Sequence, residues 1–102
     1  MKLLLDTSFI VNSLKYKIDF FAELRKFGSK IEIPFEVLGE LKKIEIESEK
    51  AKERGLAKLA LEIIKSEDCK LIELKNENVD KGIVNFLKNT VPGEYAVATM
   101  DA

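Results

Sequence analysis

The chain has 102 residues, with no histidine, no tryptophan and one cysteine. Ser-His-Asp and Cys-His nucleophilic catalysis, His-ligated or Cys-cluster metal sites and any intrachain disulfide are thereby excluded. Seventeen Lys and Arg against eighteen Asp and Glu leave a net charge of −1, so no global basic field recruits nucleic acid and any phosphate contact has to be local.

Chemistry near neutral pH therefore falls to carboxylates, hydroxyls, lysines or a hard, oxygen-liking cation. The apolar runs are too short to span a bilayer, and the amino terminus meets Asp6 too early for a signal peptide, so a cytoplasmic chain without membrane association is expected. Fifteen lysines to two arginines, thirteen glutamates and no glutamine form a Lys/Glu-rich, amide-poor balance of the kind associated with thermophiles.

Leu3-Leu4-Leu5 is a continuous apolar run suited to a strand buried on both faces of a parallel sheet, ending at Asp6. Ser8 can cap a short helix from Phe9 to about Leu14. Lys15-Tyr16-Lys17 is a polar break. Phe20, Phe21, Leu24 and Phe27 recur at helical spacing, as core or as a dimer interface, and Gly28 closes that helix. Lys30 to Pro34 alternates as a strand that the proline terminates. Val37, Leu38, Leu41 and Ile44 then share one face of a helix beginning at Phe35.

The charged stretch Glu45 to Arg54 follows, with Gly55 as either a break or a tolerated weak point. If the helix is continuous there, Lys50, Arg54 and Lys58 form a positive stripe beside the negative Glu45, Glu49 and Glu53. Cross-stripe pairing on a solvated helix is favoured over contact with an RNA backbone. Leu56, Leu59, Ala60, Ile63 and Ile64 predict an amphipathic helix to Ser66. Cys69 to Leu74 reads as a third strand, with Cys69 as a small buried apolar residue. Val79 to Leu87 reads as a short helix that Asn78 can cap, Pro92-Gly93 as a turn, and Tyr95 to Thr99 as a fourth strand.

Alternating strands and helices predict an α/β fold, a three-layer α/β/α sandwich around a central parallel sheet of four strands. Ligands of such sheets bind beyond the carboxyl ends of the strands, where strand order reverses. Asp6 ends the first strand, Asp101 follows the fourth, Glu40 lies two turns into the helix after the second, and Asp80 lies in the first turn of the helix after the third. All four can reach one crevice. Converging carboxylates repel one another unless divalent cations lie between them, which points to magnesium or manganese.

Each acid also has a plainer reading. Asp6 can start a turn or cap the next helix, Glu40 can pair with Lys42 or Lys43, and Asp80 can favour the helix dipole. Asp101 can cap a following helix. Glu36, one turn before Glu40, rivals it. Ser8 reads more readily as a cap than as a reacting hydroxyl.

Four segments carry a resemblance in order. Leu3 to Ile10 (LLLDTSFI), Ile33 to Leu41 (IPFEVLGEL), Val79-Asp80 followed by Ile83, and Val97 to Asp101 (VATMD) together resemble the acidic motifs of PIN-domain ribonucleases. The likeness is nearest to an archaeal branch related to the ribosomal-RNA-processing members, and it covers essentially the whole chain.

It implies a PIN-like domain over residues 1–102 that cleaves RNA with Mg²⁺ or Mn²⁺, leaving a 5′-phosphate and a 3′-hydroxyl. Asp6, Glu40, Asp80 and Asp101 would be the catalytic, metal-binding acids, and Thr7, Ser8 and Thr99 would hold them in place. The family usually continues past the last acid with a helix and an edge strand, so the chain reads as C-terminally truncated. RNA is the implied partner, and a second copy of the chain and a small antitoxin protein are further candidates. The role is either an RNA-processing enzyme or the toxin of a toxin–antitoxin pair. The alternative is a weakly active or inactive module that binds RNA or protein in an assembly such as one for ribosome biogenesis.

Two other folds that place an acid after the first strand fit less well. Asp-x-Asp phosphatases need a second acid where Ser8 stands, and response-regulator receivers need an acid pair that is absent.

Overall fold

The apolar runs form strands where neighbours satisfy their backbones on both sides. In the computed structural model, which describes residues 1–26, 28 and 30–98, four strands pair in parallel: β1 (Lys2–Leu5), β2 (Lys30–Pro34), β3 (Lys70–Ile72) and β4 (Tyr95–Ala98). Their order is β3-β2-β1-β4. The sheet is in register from Leu4↔Glu32 and Glu32↔Lys70 on one side to Leu5↔Ala98 on the other. Leu4 and Leu5 point to opposite faces, yet both are fully buried. A strand in mid-sheet needs an apolar residue at every position, which is what Leu3-Leu4-Leu5 supplies.

The helices are α1 (Thr7–Lys15), α2 (Phe20–Arg25), α3 (Phe35–Glu47), α4 (Ala51–Ser66) and α5 (Val79–Lys88). The connections β1→β2 and β2→β3 step the same way across the sheet, whereas β3→β4 crosses back. Right-handed crossovers therefore put α1 to α4 on one face and α5 on the other. This is the expected three-layer arrangement, with β4 as an edge of the described sheet. Among the described residues no helix is long and apolar enough to cross a membrane.

Several local expectations shift. The N-cap of α1 is Asp6, whose carboxylate accepts from the Phe9 N–H at 2.7 Å, and Ser8 lies exposed in the first turn. An aspartate fixed at a strand end already occupies the cap position, so the serine two residues along is not needed as the cap. The charged stretch breaks at Ser48–Lys50, and Gly55 sits inside α4. At the break the Ser48 hydroxyl donates to Glu53 Oε2 at 2.7 Å, and the Arg54 guanidinium donates to the Ser48 carbonyl at 2.6 Å. These charges are spent joining α3 to α4, and the stripe through 45–58 is not one helical surface. β3 is three residues long, shorter than the 69–74 expected.

The core gathers Leu4, Leu5, Ile10, Phe20, Phe21, Ile33, Val37 and Leu41. Phe20 and Phe21 are buried, which answers for core over interface at those positions; Phe27 lies outside the described residues. On α4 the buried seam is Ala57, Ala60 and Ile64, and Leu59, expected inward, is 44% exposed. Alanines there let α4 approach α1 and α3 closely, and this rotates the bulkier Leu59 outward.

Ser13 on α1 is fully buried and its hydroxyl has no partner among the described residues. An unmade buried hydrogen bond costs about 1–3 kcal/mol. Ser13→Ala is therefore expected to leave urea stability unchanged or raise it, by up to about 1 kcal/mol once the small methyl-for-hydroxyl change is allowed for.

Candidate metal-dependent nuclease site

Strand order reverses between β1 and β4: the chain steps from β1 to β2 to β3 in one direction and then places β4 on the other side of β1. The crevice of such a sheet opens there, beyond the carboxyl ends. Asp6 follows β1 directly. Since Leu5 and Ala98 are register partners, the chain leaves β4 at the same edge. Asp101 and Thr99 lie outside the described residues.

Asp6 is half-buried and held in extended backbone at the head of α1. Its next neighbour, Thr7, donates its hydroxyl to Glu40 Oε1 at 2.6 Å. That bond links the first residue of α1 to the second turn of α3, across 33 residues of chain. It sets the second expected acid against the residue next to the first, and a short hydroxyl–carboxylate bond of this kind sets orientation more than stability. Ser8 lines the adjoining cleft of about 230 Å³ with Thr7, Val11, Asn12, Ile44 and Glu53.

Asp80 is exposed in the first turn of α5, where Asn78 caps the helix by accepting from the Lys81 N–H at 2.9 Å. It borders a shallow cleft of about 290 Å³ with Lys81, Val84 and Asn85. Among the described residues no three acidic or cysteine side chains stand in a metal-holding group. The donor chemistry nevertheless fits a hard cation, because the candidate ligands are all carboxylate oxygens.

Glu36 does not compete with Glu40. Its two carboxylate oxygens accept from the Leu74 N–H at 3.0 and 3.1 Å, and Oε2 also accepts from the Lys75 N–H at 2.9 Å. Partial burial works against its charge, but these backbone donors outweigh it and hold the carboxyl below its ordinary value. A lowered native-state value means that the contribution is present above the ordinary glutamate range and is lost as pH falls through the lowered one.

The family model for PIN-like domains matches residues 3–102. The chain belongs to that family. Among solved structures it is similar to the PIN domain endonuclease Utp24, with a TM-score of 0.76 and 28% identity, over 98% of this chain and 71% of that one. No curated protein matches. The described parts of the motif-bearing segments thus fall in a PIN-like fold, and β1 and β4 end together at the carboxyl edge of its sheet.

A second polar cluster was not foreseen. At the opposite, amino-terminal edge of the PIN-like sheet, Glu32 is only 3% exposed and accepts from the Tyr95 hydroxyl at 2.7 Å. Lys2 lies 3.3 Å from Glu94 and 5.4 Å from the centre of the Tyr95 ring. Burial, with the Glu32 bond and charge, pushes the Tyr95 hydroxyl up to about 12. A larger cleft of about 550 Å³ opens at this edge, lined by Lys2, Arg25, Lys30, Glu32 and Lys70 among others. Glu32 there is already engaged by Tyr95, and the cleft lies away from Asp6 and Glu40. A glutamate in the middle of an alternating strand was the available signal. Its partner 63 residues away could not be named without the strand register. Cys69 is partly buried, and burial followed by the Asp68 and Glu67 charges pushes its thiol up, away from the thiolate form.

Proposed function

We propose that the chain, taken as one domain over 1–102, is an endoribonuclease dependent on Mg²⁺ or Mn²⁺, with Asp6, Glu40, Asp80 and Asp101 as its metal-binding and catalytic acids. The observation that carries this is the Thr7–Glu40 hydrogen bond at 2.6 Å. It ties the acid-bearing helix α3 to the residue beside Asp6 at the point where strand order reverses. RNA as the substrate class is supported by family membership and by the resemblance to the RNA-processing members.

When bound, the cation lowers the pKa of a water and polarises the scissile phosphate. The protein's own part is geometric. Asp6 is held by the Phe9 N–H at 2.7 Å, so its carboxylate has little side-chain freedom left to lose on binding. Thr7 holds one oxygen of Glu40, and Ser8 and Thr99 are the further hydroxyls proposed to steady the acids. Hydrolysis adds the water oxygen to phosphorus and passes a proton to the departing 3′ oxygen, which leaves a 5′-phosphate and a 3′-hydroxyl.

End-labelled RNA tests this directly. Wild type is expected to cut with Mn²⁺ and to stop with EDTA, and Asp6→Asn is expected to lose at least about a hundredfold, roughly 2.7 kcal/mol of barrier. Asparagine still caps the helix, so folding is retained. Full activity in Asp6→Asn, or cleavage in EDTA, overturns the proposal. The second reading is a module that binds RNA or protein without turnover. RNA binding with no cleavage by wild type would favour it.

A further inference from the structure

The bonds of Glu36 reach further than its own helix. Glu36 stands one turn before Glu40 on α3, and residues four apart share a helix face. Its carboxylate grips the backbone of Leu74 and Lys75, 38 and 39 residues away. Lys75 has φ 58°, a left-handed conformation that a lysine adopts at a cost and that a fixed partner must hold. The following residues continue the chain of contacts: the Asn76 side chain accepts from the Asn78 N–H at 2.9 Å, and Asn78 caps α5.

A separate observation joins the same loop to α5 from the other side. A Cβ at Gly82 would lie 2.9 Å from Leu74 Cβ and 3.1 Å from Asn76 Cβ. Only the missing side chain lets the helix rest directly on the loop. Asp80 lies between the Asn78 cap and Gly82, on the turn so pinned.

We infer that Glu36 is a positioning residue: through the 74–76 loop and its seat against Gly82, it sets where Asp80 stands relative to Glu40. The inference rests on the proposed metal-dependent reading of the site. It also gives the rivalry between the two glutamates a physical resolution, since Glu40 bonds Thr7 beside Asp6 and Glu36 holds the 74–75 backbone.

The test compares wild type, Glu36→Ala, Glu36→Gln and Gly82→Ala, with Ala60→Gly on α4 as a destabilised control outside the loop. Three quantities are read: amide exchange at Leu74 and Lys75, Mn²⁺ affinity, and RNA cleavage at saturating Mn²⁺ well below the melting midpoint. Glu36→Ala is expected to lose protection at both amides and to weaken Mn²⁺ binding and turnover by about tenfold each, the size of effect seen when groups supporting metal ligands are removed.

Glu36→Gln, which keeps an acceptor oxygen, is expected to fall between, and it carries the test if the alanine variant does not fold. Gly82→Ala should reproduce the defect from the α5 side. Ala60→Gly should melt earlier with Mn²⁺ affinity and turnover unchanged. Wild-type Mn²⁺ affinity and turnover in Glu36→Ala, or losses that simply follow stability across all variants including Ala60→Gly, overturn the inference while leaving the nuclease reading intact. A wild-type protein that neither binds Mn²⁺ nor cuts RNA overturns the nuclease reading itself, and the positioning role with it.

Discussion

Glu40→Gln is expected to reduce Mn²⁺-dependent RNA cleavage by at least about a hundredfold, roughly 2.7 kcal/mol of barrier, while the melting midpoint stays within a few degrees of wild type. Glu40 is exposed and makes one side-chain hydrogen bond, from Thr7. Surface substitutions of this kind change stability by about 0.5 kcal/mol or less. Glutamine keeps the shape and the acceptor for Thr7 but removes the charge. Thr7→Val gives the complementary result: the charge of Glu40 stays and its orientation is released, so the loss should be smaller, about tenfold. Initial rates and melting curves on the two variants check the pair. Equal losses in both would mean that Glu40 acts through the threonine bond alone, without a charge of its own in the reaction.

Phe20→Ala is expected to cost about 3–5 kcal/mol in urea unfolding. Phe20 is 1% exposed, meets the Phe9 ring edge-on at 6.1 Å between centroids, and lies 4.8 Å from the Phe21 ring. Domains of this size hold about 5–15 kcal/mol in total, so the variant should be marginal at room temperature. Phe9 lies on α1 three residues after Asp6, and its own N–H is the Asp6 partner. Loss of the Phe20 ring therefore loosens the packing beneath the acid edge, and residual activity should fall faster on warming than in wild type. A loss below about 1 kcal/mol would show that the α1–α2 junction is not part of the cooperative core.

What the sequence made legible followed from patterns that act over a few residues. Continuous apolar residues at 3–5 and alternation at 30–34 marked strands of a parallel sheet, and period-3.6 spacing marked α3 and α4. Topology then sent the ends of β1 and β4 to one edge, which was enough to put Asp6 in the crevice and Glu40 in the helix beside it. What escaped depended on partners distant in sequence. The resemblance favoured Glu40 over Glu36, but no residue near Glu36 showed what Glu36 itself does. The difference is made by the N–H groups of Leu74 and Lys75, and only the path of the loop after β3 brings them there.

The same holds for Glu32, whose partner Tyr95 lies across β1 on another strand. Ser8 and Asp6 were both competent caps, and the choice turned on which one the strand end delivers to the first free N–H. The break between α3 and α4 came at Ser48–Lys50 rather than at the glycine. Arg54 and Glu53 supply hydrogen bonds that stabilise the exposed turn, whereas Gly55 only lowers helix propensity.

If the carboxylate edge holds a divalent cation, a Mn²⁺ titration raises the melting midpoint of the folded domain. At a hundred times its dissociation constant, a ligand of the folded state adds about 2.7 kcal/mol, equivalent to a rise of roughly 10 °C or more in a domain of this length. Wild type is expected to show that rise and Asp6→Asn to stay flat over the same concentrations. Equal shifts in the two proteins, or none in either, would contradict a metal site built on Asp6.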